Sequence, residues 1–488
     1  MTETAPPPKT DAAGRGAGVR GWCCVGLALL LLGASGLLVA RGVARGLDGS
    51  LDFTMVYAGG RQLALGDDPY HFDRAYDAFV EAGGAGRPRD PAWFALLYPP
   101  FTYALLAPLG LIPWAEAKAV WLAANLIATA AVAGWLVRHR PRRTAQAAEP
   151  AAARRTSWCG WSAAVAVSLW LACGSLHTAI AFGQLSVLPL ALMLPLLGPG
   201  SSTTAWGWRR PRTVAAGAML AAAGLLKPQL VAPVAFVLLF TRRRPAAVWA
   251  AGLGVLGVAA SLAWVQSVTP DWYAHWRSQL AAFTASGMAR PTMDNPFTHQ
   301  MINLEPWLHR LWPGGVGPEA WFGVLGAGLP ALGLILAAGL ISRRRASPAE
   351  HPGLGRQGDD AVLLALGLAC VLTLMLVYHR AYDAVLLVVP GLWAWRRLAE
   401  RRRDGVAWVT LACLATFMLP GPVVLKVLEG RGAIPAVVAD RWLWRAFLVP
   451  HQNAALVVLA FALGTRLWRT RPAPPAVPTR KASPTFGS

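Results

Sequence analysis

Long apolar runs separated by short polar segments are the dominant pattern of this chain. Six runs are long enough to cross a bilayer as a straight helix, which takes about 20 residues. Seven more are shorter, and short helices are tolerated where they line a protein-enclosed cavity. The long runs lie near 21–40, 114–137, 158–180, 246–267, 320–341 and 451–467, and the short ones near 99–112, 184–198, 213–226, 229–241, 361–378, 383–395 and 406–420. The pattern predicts an all-α polytopic membrane protein.

Clusters of arginine between the apolar runs predict how the chain is oriented. Basic loops face the cytoplasm, and these clusters together with the N-terminal segment carry the whole net charge of +21. If the short run at 99–112 is a re-entrant or interfacial helix, the chain has about 12 crossings with both termini in the cytoplasm. The basic clusters lie at 138–155, 209–212, 242–244, 343–356, 396–403 and 466–481. The long segments that then face outward are 42–113, 268–319 and 421–450.

Composition excludes several classes of protein. The chain is 55% hydrophobic and only 14% charged, whereas soluble proteins carry about 25% charged residues. A soluble enzyme, a disordered chain and a secreted disulfide scaffold are therefore poor fits. The basic charge follows the positive-inside rule, and without a nucleic-acid-binding motif no nucleic-acid partner is expected. The six cysteines form no C-x-x-C pair or Cys/His cluster, so no metal is expected.

One membrane domain, 19–468, accounts for almost the whole chain. The segments 1–18 and 469–488 are rich in Pro, Ala, Thr and Ser, and are predicted to be disordered cytoplasmic ends. The run at 21–40 exceeds the roughly 7–15 residues of a signal-peptide core, so it is predicted to be a retained first span.

Asp52, shortly after the first span, is the first candidate for chemistry. A partly desolvated carboxylate at the membrane surface can act as a general base. The alternative is an N-cap of the helical stretch 53–65, and the residues alone favour capping. Asp67 and Asp68 are typical of a turn.

Two polar groups interrupt later apolar runs. Lys227 precedes Pro228, and an ionisable residue in apolar sequence is a functional candidate, although a lysine that snorkels to the interface is an equal alternative. The segment 379–383 (HRAYD) places four polar side chains at one turn. Arginine binds phosphate through bidentate contacts, which favours an anion site over an Arg–Asp pair closing a hairpin.

The outward segment 268–319 mixes aromatic and polar residues. Such a mixture suits carbohydrate recognition, and it equally suits an interfacial helix with an aromatic belt. Its length, about 50 residues, favours a lid over a site.

In their order and spacing, these motifs resemble a known family. The chain contains D-F-x-x-x-Y from Asp52, G-x-D-P-Y from Gly66, Y-P-P-F from Tyr98, F-G-Q from Phe182, L-K-P-Q from Leu226 and H-x-x-Y-D from His379. This set resembles bacterial membrane glycosyltransferases of the GT-C superfamily, of the family 87 type. That group contains polyprenol-phosphate-sugar-dependent mannosyltransferases and arabinofuranosyltransferases. The resemblance runs from about 20 to 465.

The resemblance implies a GT-C-type bundle with its site at the outer face of a bacterial cytoplasmic membrane. The implied activity is transfer of a sugar from a polyprenyl-phosphate donor to a lipid or glycan acceptor, with inversion and without metal or cofactor. Mannose is the leading candidate for the sugar. Asp52 is then the base, and Lys227, His379 and Arg380 bind the donor phosphate. Further predicted substrate contacts are Tyr57, Arg61, Gln184, Gln229, Asn295, His299, Gln300, Tyr382 and Asp383.

One base suits this chemistry. A glycosidase needs two carboxylates because its leaving alkoxide must be protonated, whereas a polyprenyl phosphate leaves as a stable anion that cations stabilise. Two other hypotheses stay open: a transporter or flippase of a lipid-linked substrate, and a non-catalytic membrane scaffold. A transporter is expected to show two-fold repetition, which the sequence lacks.

Overall fold

Helices make up the regular structure of the protein wherever it is described. A computed structural model describes residues 12–141, 158–198, 206–288, 290–291, 295, 297–311, 319–346, 355–376, 378–418 and 421–469. Within these ranges the β-pairing consists of an isolated antiparallel bridge between Met301 and Arg380. The predicted all-α class is thereby confirmed.

The α-helices follow one another with short connections. Numbered along the chain, they are α1 (Ala12–Leu38), α2 (Ala44–Asp48), α3 (Leu51–Ala64), α4 (Phe72–Glu81), α5 (Pro100–Leu106), α6 (Trp114–Arg138), α7 (Trp158–Leu171), α8 (Gly174–Ala181), α9 (Val187–Leu197), α10 (Pro211–Leu226), α11 (Pro228–Leu239), α12 (Arg244–Val268), α13 (Trp272–Ala285), α14 (Leu304–Leu311), α15 (Glu319–Ala346), α16 (Gly355–Leu376), α17 (Val388–Glu400), α18 (Gly405–Ala415), α19 (Gly421–Gly430), α20 (Ala436–Ala439) and α21 (His451–Arg469). Short 3-10 segments lie at Ala107–Leu111, Thr298–Gln300 and Ala381–Leu387, and π-helical turns at Val39–Val43 and Trp444–Leu448.

Four of the described helical stretches are long and apolar enough to cross a membrane. A fifth is added if α7 and α8, which bend by 44° at their junction, form one span. The other apolar helices have 10–17 residues, among them 100–111, the segment predicted to be re-entrant or interfacial. The chain is a helical membrane protein, and its 12 crossings remain a prediction. The four stretches that meet this criterion are Trp22–Ala64, Trp114–Arg138, Arg244–Val268 and Gly323–Ser342.

The ends of the chain differ in part from the expectation. Residues 12–18, predicted to be disordered, form the first residues of α1, which continues into the first apolar run. Residues 1–11 and 470–488 lie outside the described part of the chain.

Two apolar cores hold the helices together. The larger core packs α6–α11 against α15–α18 and α21. The smaller one is aromatic and lies beneath α3, where the Phe53 ring stacks on Trp121 with centroids 4.8 Å apart. Burial of large aromatic rings contributes strongly to packing, so α3 is firmly fixed.

The first span breaks just before Asp52. Ser50 adopts a left-handed conformation (φ 47°), and its hydroxyl donates to the Gly46 carbonyl at 2.6 Å. Helix α3 starts at the next residue, so Ser50 occupies the N-cap position and Asp52 lies inside the first turn. The N-cap interpretation of Asp52 is therefore wrong, since Ser50 is the N-cap residue and Asp52 is the second residue of the helix.

Candidate active site

Lys227 lies at the centre of a buried polar cluster. It occupies the break between α10 and α11, which Pro228 enforces because proline has no N–H to continue the helix. The side chain is only 4% exposed. Its Nζ donates to Asp383 Oδ1 at 2.5 Å, Ser186 Oγ at 2.9 Å and Gln184 Oε1 at 3.2 Å. All three donors of the ammonium are used, and the alternative of a snorkelling lysine is wrong.

Gln184 connects Lys227 to Asp52. Its carbonyl oxygen accepts from Lys227, and its amide nitrogen donates to Asp52 Oδ2. The backbone N–H of Asp52 donates to the Phe182 carbonyl at 2.9 Å. These contacts fix the orientation of the Gln184 amide and hold one oxygen of Asp52, whereas Oδ1 accepts no hydrogen bond from the described residues.

The turn that carries Gln184 depends on Gly183. This residue has φ +65°, and a Cβ built on it would lie 2.8 Å from the Cβ of Phe53. The Gly183 carbonyl accepts from Trp121 Nε1 at 2.9 Å. Both the backbone conformation and the close approach of α3 require glycine here.

Gly183→Ala is expected to destabilise the protein and to lower its activity. Gly66 is the matched control, because it has φ +78° with nothing within 4 Å of a built Cβ. Both substitutions strain the backbone, but only Gly183→Ala adds overpacking, worth about 1–3 kcal/mol. Thermal unfolding in detergent checks this, and equal effects of the two substitutions would contradict the close packing at Gly183.

Asp383 organises the opposite side of the cluster. Its Oδ1 accepts from Ser186 Oγ at 2.5 Å as well as from Lys227, and its Oδ2 contacts His379 Nδ1 at 2.8 Å. The His379 side chain is fully buried, and its Nε2 has no partner among the described residues. In the neutral imidazole with Nδ1–H donating to the carboxylate, Nε2 is an acceptor.

Arg380 is the cation of the cluster whose terminal nitrogens are left without hydrogen bonds to the described residues. Its Nε donates to the Tyr378 hydroxyl at 2.5 Å, and the two terminal nitrogens make no hydrogen bond to described residues. It is half-buried, and it acts electrostatically on Asp52. The alternative of an Arg380–Asp383 pair closing a hairpin is wrong, since Lys227 and His379 pair with that carboxylate instead.

Several predicted contact residues lie outside this cluster. The Tyr57 hydroxyl donates to the Ile112 carbonyl at 2.7 Å, and Arg61 Nη1 donates to the Gly110 carbonyl at 2.8 Å. Both residues thereby fasten 110–112, at the end of the short apolar segment, to α3. Gln229, half-buried in the first turn of α11, makes no side-chain hydrogen bond to described residues. Tyr382 does join the cluster, with its ring 5.1 Å from Lys227 Nζ.

The loop that contains Asn295, His299 and Gln300 reaches the cluster through its backbone. Asn295 braces its own loop, donating to the carbonyls of Met288 and Arg290 at 3.1 and 2.7 Å. His299 and Gln300 lie in the 3-10 turn, directly before the bridge of Met301 to Arg380. This pairing places the loop beside the cluster, and its function as a lid remains a prediction.

Two residues of the cluster were missed by sequence reasoning. Ser186 follows Gln184 by two residues and contacts both Lys227 and Asp383. Tyr378 directly precedes His379 and holds Arg380. Each lies next to a recognised motif, and this position is the sequence feature that could have identified them.

Fold and site together define a helical membrane protein whose broken helices enclose a network of charged groups. The sequence model of glycosyltransferase family 87 matches residues 96–377. This is more than half of the chain, and the protein belongs to glycosyltransferase family 87. Neither a curated protein nor a solved structure shows significant similarity to it.

The family match includes three of the six sequence motifs in full. These are Y-P-P-F, F-G-Q and L-K-P-Q, so Gln184 and Lys227 lie inside it. Asp52 precedes the matched range and His379 follows its end by two residues. The geometry described above connects these outlying residues to the matched ones.

Proposed function

We propose that this glycosyltransferase transfers a sugar from a polyprenyl-phosphate donor to a lipid or glycan acceptor, with inversion at the anomeric carbon. Mannose is the leading candidate for the sugar. The observation that carries the proposal is the network Asp52–Gln184–Lys227–Asp383. One carboxylate oxygen of Asp52 is left without a hydrogen bond from the described residues, and Asp52 lies within electrostatic range of Arg380, whose terminal nitrogens also make no hydrogen bond to them. A base and a phosphate-binding cation side by side are what transfer from a lipid phosphate requires.

Asp52 is the general base in this mechanism. Its Oδ1 accepts the proton of the acceptor hydroxyl as that oxygen attacks the anomeric carbon, while Gln184 holds Oδ2. The bond from the anomeric carbon to the phosphate oxygen breaks, and the phosphate departs as an anion. No second carboxylate has to protonate it, in contrast to a glycosidase.

The cations divide into two roles. Arg380 contacts the departing phosphate, because its terminal nitrogens are the donors left over. Lys227, whose donors are all used, positions Gln184 and neutralises Asp383, so its proposed role is positioning rather than phosphate binding. His379 is fully buried and orients Asp383 through Nδ1, so its proposed role is also positioning.

The proposed setting is the outer face of a bacterial cytoplasmic membrane, with about 12 crossings. The distribution of positive charge supports it, since the basic clusters and the N-terminal segment carry the net charge of +21. Asp52 and the segment 379–383 then lie on the side opposite to these clusters.

Arg380→Gln is expected to lower transfer about 100-fold, because a charge-assisted contact to the leaving phosphate is lost. Arg380→Lys keeps the charge without the bidentate geometry, so an intermediate rate is expected. Initial rates with saturating donor and acceptor measure this. A wild-type rate for Arg380→Gln would remove Arg380 from the phosphate site.

The donor class is tested in proteoliposomes that contain the purified protein and a membrane lipid extract. Radiolabelled polyprenyl-phosphate-mannose is compared with a polyprenyl-phosphate pentose and with nucleotide-linked mannose. The proposal predicts a labelled product from a polyprenyl-phosphate donor only. Product from the nucleotide sugar alone would contradict it. Unchanged donor moving across the bilayer would support a flippase. The absence of both product and movement would support a scaffold.

A further inference from the structure

A polar pocket separate from the cluster around Lys227 lies on the segments predicted to face outward. It is a cavity of about 320 Å³ between α14 and the stretch 421–449. Its lining contains three cations and two carboxylates, although this region was predicted only as loops. The charged residues are Arg310, Lys426, Glu429, Asp440 and Arg445.

Arg310 is the unusual member of this pocket. It is only 4% exposed, and its Nη1 is buried without a hydrogen-bond partner. Its side chain makes no hydrogen bond or ion pair with the described residues, although a guanidinium has five N–H donors. Burial lowers the pKa of Arg310 to about 10, which leaves it charged near neutral pH. Glu429 attracts this charge electrostatically but forms no ion pair with it. A buried charge without a hydrogen-bonded partner is costly, so the pocket favours an anion.

The other charged residues of the pocket are already paired. Lys426 bonds to Glu429, which also accepts from Trp444 Nε1, and Arg445 bonds to Asp440. Neither carboxylate forms an ion pair with Arg310. The paired carboxylates retain lone pairs for hydroxyl groups, whereas the guanidinium offers unused donors for a phosphate.

The pocket is connected to the cluster at Asp52 through a short path. Helix α19 contacts the 3-10 turn Thr298–Gln300, and the next residue, Met301, pairs with Arg380. Trp307 Nε1 donates to the Ala446 carbonyl at 2.8 Å and fixes α14 against the pocket wall. A ligand bound here would lie on the same side of the protein as the donor.

We propose that this pocket binds the phosphate of a hydroxyl-bearing headgroup, with Arg310 as the principal ligand and Lys426 at the rim. Assigning that headgroup to the acceptor rests on the proposed function; the phosphate site itself does not. The phosphate comes either from a lipid headgroup or from a free phosphate ester.

Binding without catalysis tests the site. The full-length protein in phosphatidylcholine nanodiscs is titrated with inorganic phosphate and with glycerol 1-phosphate. Nanodiscs that also contain phosphatidylglycerol are analysed by native mass spectrometry for retained lipid. Arg310→Gln is compared with Arg441→Gln, which removes an exposed arginine of the stretch 421–449 that does not line the pocket. Lys426→Gln is the second variant, at the more exposed rim.

Arg310→Gln is expected to weaken binding about ten-fold or more, as for loss of a charge-assisted contact. Its thermal stability without ligand should not fall, because a buried unpaired charge is removed. Lys426→Gln should weaken binding less, and Arg441→Gln not at all. Retained phosphatidylglycerol would identify a lipid headgroup as the source of the phosphate. Binding of the soluble probes alone would identify a free phosphate ester.

Equal binding by wild type, Arg310→Gln and Lys426→Gln would overturn the site, whatever the transfer assay shows. Loss of binding to the same extent in Arg441→Gln would overturn it as well, because the effect would then be general charge. Arg310-dependent binding in a preparation without sugar transfer would support the site, and it would count against the proposed function only.

Discussion

Asp52→Asn is expected to lower sugar transfer by about 10²–10⁴-fold, the range for loss of a general base. The substitution keeps the shape of the side chain, and its carboxamide can rotate to keep an oxygen towards Gln184 Nε2. The protein should therefore fold and still bind its donor. What is lost is the oxygen that accepts the proton of the acceptor hydroxyl. Single-turnover rates in proteoliposomes measure this step apart from product release.

Asp48→Asn is the matched control for this prediction. Asp48 is four residues away at the end of α2, and it is exposed to solvent. Its substitution should leave the rate close to that of wild type. If both variants transferred sugar like wild type, the general base would have to be sought elsewhere in the cluster. If both lost activity, the effect would be one of local structure or surface charge.

Loss of the Lys227–Asp383 ion pair is expected to have the largest effect on stability. Both side chains are nearly inaccessible, and their charged atoms are 2.5 Å apart. Removing one partner leaves an uncompensated buried charge, which typically costs about 3–5 kcal/mol. Lys227→Met and Asp383→Leu should each lower the unfolding temperature strongly. The fall in unfolding temperature of the double variant should be smaller than the sum of the two single falls, because no charge is then left unpaired.

The control for the ion pair is a salt bridge at the surface. Arg89 bonds to Asp73 and Asp77, and all three side chains are exposed. Arg89→Gln should leave thermal unfolding almost unchanged, since exposed pairs contribute little. Additive losses for Lys227→Met and Asp383→Leu would contradict the direct pairing and reduce Lys227 to an independent packing residue.

The helical class and the principal polar residues could be predicted from the sequence. Apolar runs define helices directly, and polar groups within them stand out because burying them is costly. Lys227 and His379 stand out in this way, and Asp52 stands out by its position shortly after the first span. The structure brings all three into one network. The assignment to glycosyltransferase family 87 likewise agrees with the resemblance of the motifs.

The partners within that network could not be predicted, because they depend on contacts between distant segments. Gln184 reaches Asp52 across 132 positions, and Ser186 reaches Asp383 across 197. No local pattern encodes such pairing. The incorrect N-cap alternative for Asp52 has a local cause, because the helix begins at Leu51, two residues earlier than expected, with Ser50 at the N-cap position. Arg310 was missed because an arginine in a loop is ordinarily solvated, and only packing shows that it is buried.

The position of a bound donor tests the central claim most directly. Cryo-electron microscopy of the protein in nanodiscs with a non-transferable polyprenyl-phosphate-sugar analogue would locate both the phosphate and the sugar. The account predicts the phosphate within hydrogen-bond distance of the Arg380 guanidinium, with the anomeric carbon facing Asp52 Oδ1. A donor bound away from Asp52 and Arg380, with this network unoccupied, would contradict it.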